Sequence, residues 1–497
     1  MARGFALTNA EIYTSDPAQP RAESILVLGQ RVAAVGSETK ILAKARKEGV
    51  PIQDLRGRTV TPGIIDSHTH LIHQGLLRER LDLRETKSLE EALDRVRKAV
   101  ARRRTTDLFL AERWDESRWK EKRYPRLHEL NDISTTIPIV MRRVDGHIAV
   151  ANDAACRILA PLTPGVDALE GLLIEEASLN LNQLFPTPVD QTERALEHGQ
   201  KQALKLGVTT VHDFVVPNYV RAYRRLHAKG RFAMRAHLSL YVEYLDGLER
   251  VGLGAGWGDE RLRLHGIKLF GDGSLGGHTA ALHAPYNDTG GRGKLNWTDT
   301  ALVDVFRRAH ASDLHISAHA IGDAAIDQVA RTFQALGGAR RRHRIEHFEL
   351  HTEESVEILR KNHLVASMQP NFVGEWSRPG GMYHKRLGAK RNRHNNEFKA
   401  LLKDGVAVAF GSDCMPFDPW FGIQSCVTAP FAAQRLSLAE ALGVYTRGSA
   451  WGIGRERDLG TLKAGYLADL NVVALDPRKP SKANVLATYV GGQRIPS

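Results

Sequence analysis

The sequence predicts an α/β protein with a parallel sheet and a small β domain to which both chain ends contribute. The middle of the chain alternates apolar strands with amphipathic helices, which is the pattern of βα units. Both ends of the chain contain short strands separated by turns. The length of 497 residues suits an α/β barrel that carries an insertion and a companion domain.

The β-rich ends are predicted to share one domain. A turn at Gly491 and Gly492 closes the last of their strands. The predicted strands lie at residues 5–8, 24–28, 31–35 and 59–60 of the first end, and at 468–473 and 485–490 of the second.

Several helices between the two ends carry start signals. Ser88 with Glu91, and Ser437 with Glu440, each form a predicted capping box ahead of apolar residues at helical spacing. A longer helix is predicted over residues 190–206. The stretch from 105 to 200 is less regular and is punctuated by tryptophan and proline, which indicates an insertion able to cover a site.

The composition is that of an ordinary globular protein, with 42% apolar and 25% charged residues. The net charge of +12 raises the question of a nucleic-acid partner. The basic residues are spread along the chain and partly lie on predicted helix faces. The excess charge is therefore interpreted as solvated surface, and we expect no nucleic-acid partner.

Cysteine content and hydropathy indicate where the protein works. Cys156, Cys414 and Cys426 are odd in number and show no metal-finger or redox spacing, which fits a reduced cytoplasmic setting. The sequence has no apolar run of 18 residues and no basic segment followed by an apolar run at its start. We therefore expect neither a membrane span nor a signal peptide.

The first chemical signal is a histidine pair at the end of a predicted strand. A turn at Pro62 and Gly63 precedes two isoleucines, and the strand then ends at His68 and His70. Residues i and i+2 of a strand project to the same side, so both imidazoles would point together. Such a pair can begin a metal site, whereas the alternative is two polar residues in a loop.

Later strands end in further polar groups. Lys268 lies inside the apolar strand 266–270, where an unpaired ammonium is costly, so it needs a modification or, as the alternative, a structural ion-pair partner. His319, His347 and Asp413 each follow or end a short apolar strand. Any one of them would be a weak signal among 21 histidines, but together they form a pattern of strand-end ligands.

With these positions, the chain resembles the metal-dependent amidohydrolase superfamily, and most closely its amidohydrolase family 3 branch, which includes deformylases of N-substituted formamides. The resemblance extends over nearly the whole chain. Its further motifs lie at residues 61–70, 114–117, 143–147, 268–274, 319–323, 344–347, 367–370, 411–413 and 462–469.

The resemblance implies a distorted (β/α)8 TIM barrel with a small β-sandwich domain formed by both termini. The barrel is expected over residues 62–458, with the insertion near 105–200, and the small domain over 1–61 and 459–497. Active sites of such barrels lie at the C-terminal ends of the strands.

The family pattern also implies a metal centre with zinc as the expected ion, in one or two copies, and with other divalent metals as alternatives. A single metal beside an unmodified Lys268 is the alternative to two metals bridged by a carbamylated Lys268. The expected ligands are His68, His70 and Asp413 at the more buried ion, His319 and His347 at the second, and Lys268 between the two.

Further residues are expected to act on the substrate. Asp413 would take a proton from the attacking water and pass it to the leaving amine, while His147 would position the substrate carbonyl. The alternative for His147 is a structural histidine in a turn. The remaining expected substrate contacts are Trp114, Asp145, Asp272 and Gln369.

The predicted function is therefore hydrolysis of a carbon–nitrogen bond in an amide, formamide or cyclic amide of a small molecule. An esterase or lactonase would use the same metal site, and a non-catalytic scaffold is a third hypothesis. All six expected ligand positions carry suitable residues, which favours an enzyme. The sequence leaves the oligomeric state open, although barrels of this kind often form homo-oligomers.

Overall fold

The computed structural model describes residues 4–77, 80–103, 108–179, 181–185, 187–337 and 341–496. In chain order the strands are β1 (Gly4–Tyr13), β2 (Arg21–Ala22), β3 (Ser24–Leu28), β4 (Arg31–Gly36), β5 (Ile52–Pro62), β6 (Ile64–Thr69), β7 (Leu81–Asp82), β8 (Phe109–Trp114), β9 (Ile139–Arg143), β10 (Ile148–Ala151), β11 (Val166–Asp167), β12 (Leu172–Ile174), β13 (Val208–Val215), β14 (Arg235–Tyr241), β15 (Leu262–Phe270), β16 (His315–Ala320), β17 (Arg344–His347), β18 (Val365–Met368), β19 (Ala407–Phe410), β20 (Leu470–Ala474), β21 (Asn484–Val490) and β22 (Gln493–Arg494).

Helices alternate with these strands and follow most of them. They are α1 (Glu38–Glu48), α2 (Leu71–Leu76), α3 (Leu89–Ala101), α4 (Leu127–Asn131), α5 (Asp153–Leu159), α6 (Glu176–Leu179), α7 (Leu181–Leu184), α8 (Val189–Lys205), α9 (Pro217–Ala228), α10 (Leu245–Val251), α11 (Asp299–Ala311), α12 (Asp323–Ala335), α13 (Glu353–Lys361), α14 (Pro370–Trp376), α15 (Met382–Arg393), α16 (Phe398–Lys403), α17 (Pro419–Val427), α18 (Leu438–Gly443) and α19 (Ser449–Gly452).

Eight parallel strands form the central barrel, in the order β6-β13-β14-β15-β16-β17-β18-β19. Residues such as Ile267, Ile316 and Ile345 of successive strands are fully buried and share one apolar cluster with Phe306 of α11 and Phe333 of α12. Burial of this interface between strands and helices stabilises the barrel, at roughly 25 cal/mol per Å² of apolar surface. The prediction of a distorted (β/α)8 barrel is confirmed.

The two chain ends form a second sheet, in the order β22-β21-β20-β5-β1-β3-β4, with β2 paired to β1. Strand β5 of the first end pairs antiparallel with β20 of the second. A buried cluster joins Val32 near one edge of the sheet to Val60, Val472 and Tyr489 toward the other. The sheet must therefore curl around a common core, and the predicted small β-sandwich domain formed by both termini is confirmed.

The chain between the first two barrel strands forms a third sheet, in the order β11-β12-β10-β9-β8-β7. Its core includes Trp114, Trp119 and Met141, which are fully buried. The stretch 105–200, which is irregular in sequence, therefore contains strands β8 to β12 of a regular sheet, and that sheet begins earlier in the chain, at Leu81. The short strands and scattered tryptophans gave no clear alternation from which this sheet could be predicted.

Both serines of the predicted capping boxes lie at the N-termini of helices. Ser88 accepts a hydrogen bond from the Glu91 N–H at the start of α3, while the Glu91 carboxylate accepts from the N–H of Lys87 instead of closing the box. At α18, Ser437 and Glu440 form both reciprocal bonds. A sequence pattern thus identifies the first turn, whereas the partner of the glutamate depends on the approach of the preceding chain.

The described helices include none with the length and apolar character needed to cross a membrane. The three cysteines are buried and unpaired.

Candidate active site

The predicted ligands line one cavity at the C-terminal ends of the barrel strands. This cavity has a volume of about 740 Å³. It is bounded on one side by the barrel and on the other by residues 142–147 and 174–176 of the third sheet. The structure brings together all six residues expected to bind metal: His68, His70, Lys268, His319, His347 and Asp413.

His68, His70 and Asp413 form a compact group of metal donors. One donor atom from each lies within 4.8 Å of the other two. The Asp413 Oδ1 is 3.2 Å from His70 Nε2 and 3.6 Å from His68 Nε2. Burial alone would raise the pKa of Asp413, but interactions with His68 and His70 outweigh it and hold that pKa below its usual value. Asp413 therefore remains a carboxylate, as a metal ligand must.

The approach of Asp413 depends on its backbone. Its φ is +48°, in the left-handed region that few non-glycine residues adopt. Its N–H donates a 2.9 Å hydrogen bond to the carbonyl oxygen of His68, which joins the last barrel strand to the first. Two residues earlier, a Cβ on Gly411 would overlap the backbone nitrogen of His68, so only glycine fits there.

A buried carboxylate sets the tautomer of His68. Glu346 Oε2 lies 2.7 Å from His68 Nδ1, and both Glu346 oxygens also accept from the Arg344 guanidinium. Burial lowers the pKa of His68 to about 4 despite the nearby Asp413 and Glu346, so the ring is neutral. Nδ1 then carries the proton, and Nε2 is free to bind a metal.

His319 and His347 form the second donor pair, with ring centroids 4.4 Å apart. His347 Nδ1 is 2.8 Å from Gln369 Oε1, and His319 Nε2 is 2.9 Å from the carbonyl oxygen of Gly273. Burial, together with neighbouring positive groups, lowers the pKa of both rings well below the usual value. Each neutral ring thus uses one nitrogen as a hydrogen-bond donor and keeps the other for a metal.

Lys268 lines the same cavity as the two donor groups and is 1% exposed. Its Nζ is 4.5 Å from the ring centroid of Phe214 and 5.0 Å from that of Phe270. Within the described part of the chain it forms no ion pair, so the alternative of a structural ion pair finds no partner there. Burial lowers its pKa to about 8, against the opposing effect of Glu346 and Asp413.

This donor set fits a divalent metal. Four imidazole rings and one carboxylate line the same cavity, and zinc accepts both ligand types. The hydrogen bonds of His68 and His347 to Glu346 and Gln369 are the kind of outer contacts that orient metal-binding histidines.

His147 enters the cavity from the third sheet. Its Nδ1 is 2.7 Å from Glu175 Oε2, and its ring centroid is 5.2 Å from that of His319. Burial opposes the charge on His147, but Glu175, together with Asp145 and Asp272, outweighs burial and raises the pKa to about 9. His147 is therefore a cation at neutral pH, with Nε2 available as a donor.

Asp145 also lines the cavity, but its oxygens are engaged. Oδ2 accepts from Arg143 at 2.6 Å and from the Ser274 hydroxyl at 2.8 Å, and Oδ1 accepts from the His147 N–H at 3.1 Å. The ion pair with Arg143 holds the pKa of Asp145 below its usual value against the effect of burial. These bonds anchor the loop that carries His147.

Three expected substrate contacts lie behind the cavity surface. Trp114 is fully buried in the third sheet, where it stacks on Trp119 at 5.6 Å. Gln369 is fully buried behind His347. Asp272 accepts three backbone N–H bonds, which fix the loops around His319, and those donors are the amides of Ala281, Ile321 and Gly322.

Sequence reasoning missed several residues of the site. Glu346 lies within the motif 344–347, but its neighbour His347 was the expected ligand. Glu175 and Glu349 follow no motif, and their role depends on contacts with distant parts of the chain. Other missed residues form an apolar wall of the cavity beside Phe372, and they are Trp376, Met382, Tyr383 and Met415.

Comparisons with known proteins agree with this geometry. Residues 52–496 match the Amidohydrolase family. YtcJ of Bacillus subtilis is 28% identical, with 97% of this chain and 98% of that protein aligned. The N-substituted formamide deformylase of Arthrobacter pascens is 24% identical, with 99% and 98% aligned. A crystal structure of an uncharacterized metal-dependent hydrolase from Pyrococcus furiosus is 32% identical with a TM-score of 0.78, and the match covers 96% of this chain and 100% of that chain.

Proposed function

This chain belongs to the amidohydrolase family, and we propose that it is a metal-dependent hydrolase that cleaves the carbon–nitrogen bond of an amide, formamide or cyclic amide. The observation that carries the proposal is the convergence of the His68, His70 and Asp413 donor atoms within 4.8 Å. Their position at the C-terminal ends of barrel strands, beside a large cavity, supports a small-molecule substrate.

The metal we propose is zinc, in one or two copies. His68, His70 and Asp413 would hold one ion, and His319 with His347 would hold the other. We propose a carbamate on Lys268 as the bridge, formed when the neutral amine attacks carbon dioxide and releases a proton. The lowered pKa of Lys268, about 8, supports this step because a useful fraction of the amine is neutral near pH 7.

The bound ion would polarise the scissile carbonyl and acidify a water molecule. Asp413 would accept the proton of the attacking water and then deliver that proton to the leaving nitrogen. His147, a cation held by Glu175, would donate a hydrogen bond from Nε2 to a polar atom of the substrate. The buried surroundings of both groups would strengthen these interactions.

A hydrolase of carbon–oxygen bonds is the second candidate, because ester and lactone hydrolysis passes through the same type of tetrahedral intermediate. A scaffold without catalysis is the third. The name of the relative from Arthrobacter pascens, N-substituted formamide deformylase, supports N-formyl amines as the first compounds to test.

The test combines elemental analysis with a substrate panel. Metal per chain is measured on native protein, His68→Ala and Lys268→Ala, with the exposed residues His394 and Lys361 changed to alanine as controls. Hydrolysis is measured on N-formyl amines, N-acyl amines and matched esters. We expect close to two metals in native protein, fewer in both site variants, and turnover of amides above esters.

Other outcomes would correct the proposal in defined ways. One metal that survives Lys268→Ala would remove the bridge and leave a mononuclear hydrolase. Faster turnover of the esters would replace the proposed bond type. Protein that carries no metal, and that hydrolyses nothing after zinc is added, would leave the scaffold hypothesis.

A further inference from the structure

The loop after β17 holds one acid rigidly at the cavity wall. His347 and Phe348 both have positive φ, at +73° and +47°, which turns the chain sharply after the strand. The N–H groups of Phe348 and Leu350 then donate to the carbonyl oxygens of Ala320 and Ile321. Glu349 lies between these two bonds, is 2% exposed and lines the cavity.

The carboxylate of Glu349 has no cationic partner among the described residues. The side-chain amide of Asn396 donates to Oε2 at 3.4 Å, and the side-chain amide of Asn395 is a further neutral donor. The hydroxyl of Tyr383 also faces Glu349. Neutral donors of this kind compensate poorly for a buried carboxylate, which is costly unless it is paired with a cation.

Two other acids that line the same cavity, Glu112 and Glu175, have such partners. Glu112 accepts two bonds from the Arg142 guanidinium, at 2.9 and 2.8 Å. Glu175 pairs with His147 at 2.7 Å. Glu349 is thus a buried acid of this cavity without a cation beside it among the described residues. Burial raises its pKa to about 7, and a cation that entered the cavity from outside the protein would favour its carboxylate form.

The surroundings of Glu349 suit an organic cation. Phe372 and Trp376 have ring centroids 5.0 Å apart, and those of Trp376 and Tyr383 are 5.9 Å apart. All three rings line the cavity and belong to one apolar cluster. Aromatic faces attract cations, and a nearby carboxylate adds a charge-assisted hydrogen bond.

We propose that Glu349, with Phe372, Trp376 and Tyr383, forms a subsite for a cationic substituent of the substrate, such as a primary ammonium group. The inference deepens the proposed function and rests on it, because the subsite adjoins His347, on whose ring Phe372 stacks at 5.9 Å. The substrate class is then an amide or formamide whose amine or acyl part carries a second, positively charged nitrogen.

Equilibrium binding tests the subsite without any turnover. Calorimetry on the metal-loaded protein compares phenethylammonium with 2-phenylethanol, which has nearly the same shape and no charge. We expect the ammonium compound to bind at least about tenfold more tightly to native protein. In Glu349→Gln this preference should fall to within about threefold, whereas Glu243→Gln, which changes an exposed acid of the same cavity, should keep it.

Three results would overturn the subsite. They are equal or tighter binding of the alcohol, no detectable binding of either compound, and a preference that survives Glu349→Gln. A preference that survives Glu349→Gln would mean that the amine is bound by the metal and not by Glu349. If Glu349→Gln does not fold, trimethylphenethylammonium, whose quaternary nitrogen cannot coordinate a metal, replaces the amine on native protein, and binding no tighter than that of the alcohol would overturn the subsite. A protein that hydrolyses no amide but keeps the ammonium preference would reject the proposed function alone.

Discussion

Asp413 and His68 meet through both their backbones and their side chains, although they lie at the ends of the last and the first strand of the barrel. The Asp413 N–H donates to the His68 carbonyl oxygen at 2.9 Å, and Asp413 Oδ1 is 3.6 Å from His68 Nε2. The bond that brings the two edges of the barrel together therefore also aligns two metal donors. At this point the barrel cannot close without also bringing these two metal donors together.

Asp413→Asn should reduce kcat/KM by about 1,000-fold, within the range observed for loss of a general acid or base. The amide keeps the size of the side chain but cannot accept the proton of the attacking water. The measurement is steady-state hydrolysis of the best substrate at saturating zinc, with the exposed Asp404→Asn as control. A loss below tenfold with normal metal content would exclude Asp413 as the proton carrier.

Glu346→Gln should weaken metal binding by about 10- to 100-fold, as expected for a lost outer contact of a histidine ligand. The neutral amide no longer holds the proton on His68 Nδ1 as strongly, and Arg344 loses its buried counter-charge. Competition with a chromogenic chelator measures the change in affinity. Glu354→Gln, at an exposed ion pair with Arg331, is the matched control and should bind metal as native protein does.

Activity should fall at alkaline pH if the His147 cation is required. Its folded-state pKa of about 9 lies above the ordinary 6.5, so the charge and its stabilising effect are complete below about 6.5 and disappear as the pH rises through 9. We expect kcat/KM to fall about tenfold per pH unit beyond that point. In Glu175→Gln the alkaline limb should move to lower pH, because the carboxylate that raises the pKa is gone.

The pH profile of Glu176→Gln is the control for that experiment, since Glu176 lines the cavity but is exposed. An alkaline limb at the same pH in native protein and in Glu175→Gln would assign the limb to another group.

Gly411→Ala should destabilise the protein by roughly 1–3 kcal/mol, as overpacking of a rigid site does. The new Cβ would overlap the backbone nitrogen and Cβ of His68, which cannot move without disturbing the metal donors. Urea unfolding and metal content measure both effects. Gly443→Ala, at the end of α18 with open space around the added Cβ, is the control and should not lose stability. If the free energy of unfolding of Gly411→Ala equals that of native protein, the prediction is wrong, and the backbones at Gly411 and His68 can move apart at no cost.

The positions of the ligands along the chain could be predicted from local patterns. His68 and His70 share a side because a strand alternates its side chains, and Lys268, His319 and His347 end apolar strands. Parallel strands in a barrel present their C-terminal ends at one face, so strand-end polar residues were expected to converge. The strand ends themselves depend only on residues that are neighbours in sequence, whereas the barrel that brings them together was implied by the family resemblance.

The partners of those ligands could not be predicted in the same way. Glu346 with His68, Gln369 with His347 and Glu175 with His147 are pairs whose members lie on different elements. A hydrogen bond requires atoms to approach within about 3 Å, and the sequence does not specify such distances between distant segments. The third sheet was hidden for a related reason, because its short strands are stabilised by packing around Trp114 more than by their own pattern.

The sequence by itself thus determined the fold class, the strand ends and the residue types of a metal site, because alternation, helical spacing and turn residues act locally. Only the tertiary structure decided which nitrogen of His68, His319 and His347 is free. It also decided that Lys268 has no ion-pair partner among the described residues, and that Glu349 faces the cavity among aromatic rings. Burial and pairwise contacts create these properties, and both arise when strands far apart in the chain come together.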